Sequence, residues 1–175
     1  YAPIPKPSLP PECPLPPKYV AVKFYARATF QYPNQEVGEW VQRTVATIAA
    51  QAPVVVLSSA NDYDDHMDVA LAGPNISCLP IDVAPEQNLY LQAAVLAHAT
   101  AFVGTYGGVA QLALRMGVPS LSVYAQWGGT IRTYARKVTV KARYEVRDAA
   151  GNRLDVYDTA VAATATAAAL LPTVQ

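Results

Sequence analysis

Residues 101–124 read Ala-Phe-Val-Gly-Thr-Tyr-Gly-Gly-Val-Ala-Gln-Leu-Ala-Leu-Arg-Met-Gly-Val-Pro-Ser-Leu-Ser-Val-Tyr, and this stretch decides the fold. Ala101, Phe102 and Val103 form a short apolar run ending in Gly104, the pattern of a buried strand. Gly107 and Gly108 stand where a helix over residues 108–116 begins, Gly117 stops it, and residues 119–124 read as the next strand. Strand, glycine turn, helix and strand in close succession make a parallel βαβ unit. The first turn of a helix presents unpaired backbone N–H groups at the positive end of its dipole. Glycines there let a diphosphate approach the backbone closely, and Thr105 adds a hydroxyl donor. A tight turn without a ligand is the plain alternative, because the spacing is not Gly-x-Gly-x-x-Gly.

The same punctuation extends upstream. Residues 19–25 form a strand-like run. Residues 36–51 place Val37, Trp40, Val41, Val45, Ile48 and Ala49 on one helical stripe, closed by Pro53. Residues 54–57 are continuously apolar, as in a strand covered on both faces. A polar, turn-rich stretch at 58–75 precedes a short strand at 76–79, and Pro85 opens a helix to about residue 99. The expected fold is α/β: a three-layer Rossmann-like domain with a mostly parallel, doubly wound sheet. Downstream, residues 138–147 alternate apolar and polar, 150–153 read as a turn and 154–157 as a return strand. These predict a β-hairpin at the sheet edge, followed by a C-terminal helix from about 158 to 171.

Residues 1–17 hold eight of the chain's prolines, which excludes them from a sheet interior. They read as a Pro-rich linker or a strap, with residues 18–175 as the domain proper. The chain starts at Tyr1 rather than Met and reads as a segment of a longer protein. Lys plus Arg equal Asp plus Glu at 13 each, so no overall field draws nucleic acid or an anionic membrane. No apolar run reaches the length of a membrane span. Cys13 and Cys78 offer neither a disulfide framework nor metal-ligand spacing, and point to free thiols in the cytoplasm. Asp62, Asp64, Asp65, His66 and Asp68 follow the second strand, but they fit neither a calcium loop nor a zinc set. No metal and no cofactor are expected.

Residues 86–124 resemble the donor-site segment of GT-B glycosyltransferases, most closely the heptosyltransferase-like group. The matching pieces are the Phe102-Val-Gly104 strand end, Gly107-Gly108, Leu112-Ala113 and the Gly117-Val-Pro119 stop, together with the preceding helix at 88–98. That group carries Asp-Ser-Gly after the strand and a His on the helix. This chain has Tyr106-Gly107-Gly108 and Gln111 there, which marks a divergent branch. The resemblance implies the donor-binding half of an enzyme that transfers a sugar from a nucleotide-sugar. The acceptor-binding N-terminal domain of the same protein would be its partner.

It also implies a phosphate site at Gly104, Thr105, Tyr106, Gly107 and Gly108, with a cation from the loop after the first strand. Strand alternation puts Lys23 and Tyr25 on one face and Arg27 just beyond the strand end. Arg27 is favoured over Lys23, because guanidinium binds phosphate bidentately. Glu86 matches the region where related enzymes contact ribose hydroxyls. Asp65, His66 and Tyr124 lie after strand ends and are candidates for base, ribose or sugar contacts. The catalytic residues are unknown from sequence, and the base would lie mainly in the N-terminal domain. The competing expectation is a catalytically inactive Rossmann-like binding or scaffold domain, in which an aromatic fills the turn. A dehydrogenase is disfavoured, because Ala26-Arg-Ala-Thr-Phe30 follows the first strand in place of a dinucleotide fingerprint. An epimerase of the same two-domain architecture stays open.

Overall fold

The computed structural model describes residues 4–11, 13–26, 35–58, 67–79, 83–105, 107–123 and 154–157. The elements are β1 (Val20–Lys23), β2 (Tyr25–Ala26), α1 (Gln35–Ala49), β3 (Val54–Val56), β4 (Met67–Asp68), β5 (Ile76–Cys78), α2 (Pro85–His98), β6 (Ala101–Thr105), α3 (Gly108–Arg115), β7 (Ser120–Val123) and β8 (Leu154–Tyr157). Six strands form one sheet in the order β5-β3-β1-β6-β7-β8. Every neighbouring pair in it is parallel. The expected three-layer α/β architecture is present, with its helices on both sheet faces.

Strand alternation divides the core in two. Val20, Val22, Val54, Val56, Ala101, Val103 and Leu121 pack with Val41, Val45 and Ile48 of α1. Ala21, Val55, Leu57 and Phe102 point the other way, against Leu91, Val95 and Leu96 of α2 and Ala110, Ala113 and Leu114 of α3. This two-sided burial explains why β3 and β1 up to Val22 are apolar without a polar alternate.

The proline-rich segment lies across the α2/α3 layer. Cys13 is buried there, and Ile4, Leu9 and Leu15 pack against the same core. The Ile4 amide donates to the Arg115 carbonyl at the end of α3 (3.1 Å). The Pro7 carbonyl accepts from His98 Nε2 (3.1 Å) and the Ser8 carbonyl from the Tyr90 hydroxyl (3.3 Å). Prolines suit such a strap, since it satisfies its carbonyls without needing ladder N–H groups. Neither Cys13 nor Cys78 is in a disulfide. Among the described residues no helix is long and apolar enough to cross a membrane.

Three local expectations change. The run at 19–25 is not one strand: β1 ends at Lys23, and β2 turns away to pair antiparallel with β4, inside the stretch read as loop. The break falls at Phe24, whose ring packs edge-on against Trp40 with centroids 6.0 Å apart, while its carbonyl accepts from the Val69 amide. Strand β6 is longer than expected and takes in Gly104 and Thr105. Finally, β8 is a strand, but its observed partner is β7 and the pairing is parallel, Ser120 opposite Leu154. The other arm of the expected hairpin, residues 138–147, and the expected final helix lie outside the described residues.

Candidate functional site

The strand order locates a crevice. From β1 the chain steps outward to β3 and β5, then returns through α2 to β6 on the other side of β1. Helix α1, after β1, packs on one face, and α3, after β6, packs on the opposite face. The loops leaving β1 and β6 therefore diverge, and ligands of open α/β sheets bind in such a gap at the strands' carboxyl ends. Here the gap lies between Lys23 and the paired Gly104, with the amino end of α3 beyond it.

Each glycine of the turn has a separate reason. Gly104 lies in the β6 interior, opposite Lys23 on one side and Ser122 on the other. A Cβ there would run into the Lys23 carbonyl and lie 2.8 Å from Phe102 Cζ, so this glycine serves strand packing. Gly107 is the N-cap residue of α3, and no side chain caps the helix. A Cβ on Gly107 would collide with the Tyr25 hydroxyl. Gly108 begins α3, and a Cβ there would meet nothing within 4 Å among the described residues. Within that set, the amino end of α3 is open at Gly108 and meets a tyrosine hydroxyl at Gly107.

The carboxyl end of α3 closes in a Schellman motif. Gly117 takes a left-handed φ of 76°, its amide donates to the Leu114 carbonyl (3.1 Å), and the Val118 amide donates to Ala113 (2.9 Å). Val118 is buried, and the Pro119 carbonyl accepts from the Phe102 amide (2.8 Å). Gly-Val-Pro is therefore structural hardware that returns the chain to the sheet beside β6.

Thr105 is buried, and its Oγ1 accepts from the Tyr25 amide (3.2 Å), pinning β2 to the end of β6. Tyr25 is itself buried. Lys23 is also buried. Its Nζ donates to the Leu57 carbonyl (2.9 Å) and to Gln92 Oε1 (3.1 Å), and sits 3.4 Å from Asp68 Oδ1. Burial lowers the Lys23 pKa against the opposing pull of the Asp68 carboxylate. Gln92 Nε2 in turn donates to Asn88 Oδ1 (3.0 Å).

Of the residues expected at the site, Lys23, Gly104, Thr105, Gly107 and Gly108 cluster around the β1/β6 gap. Glu86 lies exposed in the first turn of α2. Arg27, Asp65, His66, Tyr106 and Tyr124 lie outside the described residues. Sequence reasoning did not single out Gln92 or Asp68 as partners of Lys23. A signal existed for Gln92, a polar residue beside Leu91 on the buried side of α2.

No curated protein sequence matches this chain. Among solved structures, the fold is similar to that of UDP-GlcNAc 2-epimerase from Methanocaldococcus jannaschii, with a TM-score of 0.50 at 11% identity. That match covers 89% of this chain and 39% of the other, so the chain spans about two-fifths of that protein's length. The sequence profile of glycosyltransferase family 9 (heptosyltransferase) matches residues 27–147. Because that match takes in well over half of the chain, including the β6–α3 turn, the chain belongs to glycosyltransferase family 9.

Proposed function

We propose that this chain is the donor-binding half of a two-domain, GT-B type glycosyltransferase. It holds the diphosphate of a nucleotide-sugar at the amino end of α3. The observation that carries the proposal is the α3 start, uncapped and open at Gly108 among the described residues, and set at the sheet's switch point. Backbone N–H groups there would stabilise the leaving diphosphate as charge develops on it, without a metal ion. Arg27, which follows β2 in sequence, is the proposed cation. Glu86, Asp65, His66 and Tyr124 are proposed for the ribose, base and sugar. The acceptor and the base that deprotonates it belong to an N-terminal domain, in keeping with a chain that spans two-fifths of its structural neighbour. Two cysteines outside any disulfide support a cytoplasmic setting. Tyr106 and Gln111 stand where the best-known relatives carry Asp and His, which supports a divergent branch with its own sugar.

One observation favours a second reading, a non-catalytic binding domain: the buried Tyr25 hydroxyl already occupies the space beside Gly107. Calorimetric titration of the chain with a panel of nucleoside diphosphates and nucleotide-sugars separates the two. The donor-half reading expects weak binding and no sugar transfer by this chain alone. Absence of binding to every member at millimolar concentration would sink it and leave the scaffold reading.

A further inference from the structure

A buried ammonium is a poor way to stabilise a fold. An ion pair of this kind is often no better than a well-packed apolar group of the same size, and burial works against the charge of Lys23. Its geometry points to a different use. Among the described residues, the Lys23 ammonium has acceptors on three separate pieces of chain: the Leu57 carbonyl just past β3, Gln92 on α2, and Asp68 in β4.

Each of those pieces leads into the crevice. Leu57 follows the end of β3, and Asp68 closes β4. The amino end of α2 carries Glu86, and Asn88, one turn before Gln92, orients the Gln92 amide. Strand β4 pairs with β2, Tyr25 opposite Asp68, and the Tyr25 hydroxyl lies against Gly107 at the start of α3. One side chain at the end of β1 therefore ties the wall of the crevice to the helix start that faces it.

We infer that Lys23 is a positioning residue of the donor site: it holds the β2/β4 ribbon, the end of β3 and α2 in register with α3, and does not itself touch the diphosphate. Resting as it does on the donor-binding reading above, the inference assigns the elements tied by Lys23 to the nucleoside side of the ligand. The glycine-bounded start of α3 keeps the diphosphate side.

The test compares inorganic pyrophosphate with whichever nucleoside diphosphate the wild-type chain binds, by calorimetry on wild type, Lys23→Met, Asp68→Asn and the double variant. The expected result for Lys23→Met is a loss of tenfold or more in nucleoside diphosphate affinity, with pyrophosphate affinity within about twofold of wild type. The double variant should be no weaker than Lys23→Met, because both changes break one linkage. An equal loss for pyrophosphate would make Lys23 a direct phosphate ligand and overturn the inference. Unchanged affinity for both probes, or additive losses in the double variant, would overturn it as well. If Lys23→Met does not fold, Gln92→Met takes its place, with a threefold or larger loss confined to the nucleoside diphosphate as the supporting result and no loss as the refuting one. Wild type that binds neither probe would instead count against the donor-binding reading itself.

Discussion

Adjacent glycines at the start of α3 allow a paired substitution with opposite outcomes. In Gly107→Ala the new methyl lands on the Tyr25 hydroxyl, with Tyr25 Cζ next at 3.2 Å. Tyr25 cannot easily step aside, since its backbone pairs with Asp68 and its amide is bonded to Thr105 Oγ1. Overpacking of this kind costs about 1–3 kcal/mol. For a domain of this size that lowers Tm by roughly 2–4 °C per kcal/mol. In Gly108→Ala the methyl meets nothing within 4 Å among the described residues, and Gly108 is not among the positive-φ glycines. Restricting the unfolded chain should then raise stability by about 0.4–1 kcal/mol. The same methyl stands where the diphosphate is proposed to approach. Loss of one charge-assisted hydrogen bond, about 1.5–3 kcal/mol, weakens nucleoside diphosphate binding tenfold or more. Thermal unfolding followed by circular dichroism, with calorimetric titration on the same samples, reads both effects. Tyr25→Phe placed in the Gly107→Ala background removes the colliding oxygen and should recover most of the lost stability. Gly108→Ala that destabilises as much as Gly107→Ala would refute the open geometry. Gly108→Ala that is stable and binds nucleotide as wild type does would refute the placement of the diphosphate.

Two further outcomes follow from the core. Burial, together with the nearby Cys13, raises the pKa of Tyr19, whose hydroxyl donates to the Val95 carbonyl (2.7 Å). The unfolded chain releases that proton near its ordinary value of 10.0 while the folded chain retains it, so stability from Tyr19 is complete below that pH and is lost as pH rises above it. Lys23, with its lowered pKa, works in the opposite direction but is common to both proteins in the comparison. Denaturant unfolding from about pH 9 to about pH 11 should therefore show a shallower decline for Tyr19→Phe than for wild type, and parallel declines would refute the assignment. Removal of residues 1–17 strips Cys13, Ile4, Leu9 and Leu15 from the α2/α3 core. Exposing that apolar surface lowers the stability of the domain, read as a lower Tm. An unchanged Tm in the truncated protein would show that the strap does not contribute to folding.

Residues 101–124 were legible because their information is local. An apolar run bounded by glycines, a helix of about two turns and a glycine–proline stop each express their physics within a few residues. Gly117 shows this best: the left-handed φ, the two Schellman hydrogen bonds and buried Val118 follow from three adjacent residues. The helices and the parallel order were readable for the same reason. The break at Phe24 and the β2/β4 ribbon were not, because Tyr25 and Asp68 are far apart in sequence and neither carries a periodic pattern across two residues.

By itself, the sequence determined the α/β class, the strand-turn-helix unit at the proposed site and the family to which that unit points. These rest on hydrophobic period and backbone chemistry, which act over a few residues. Only the tertiary structure decided what the described residues at the β1/β6 gap touch. Lys23 becomes a buried tie between β3, β4 and α2, Gly104 a packing residue, and Gly107 the seat of a tyrosine hydroxyl. β8 pairs in parallel with β7. Such roles depend on which side chains from distant elements converge at one point, and no local pattern encodes that convergence.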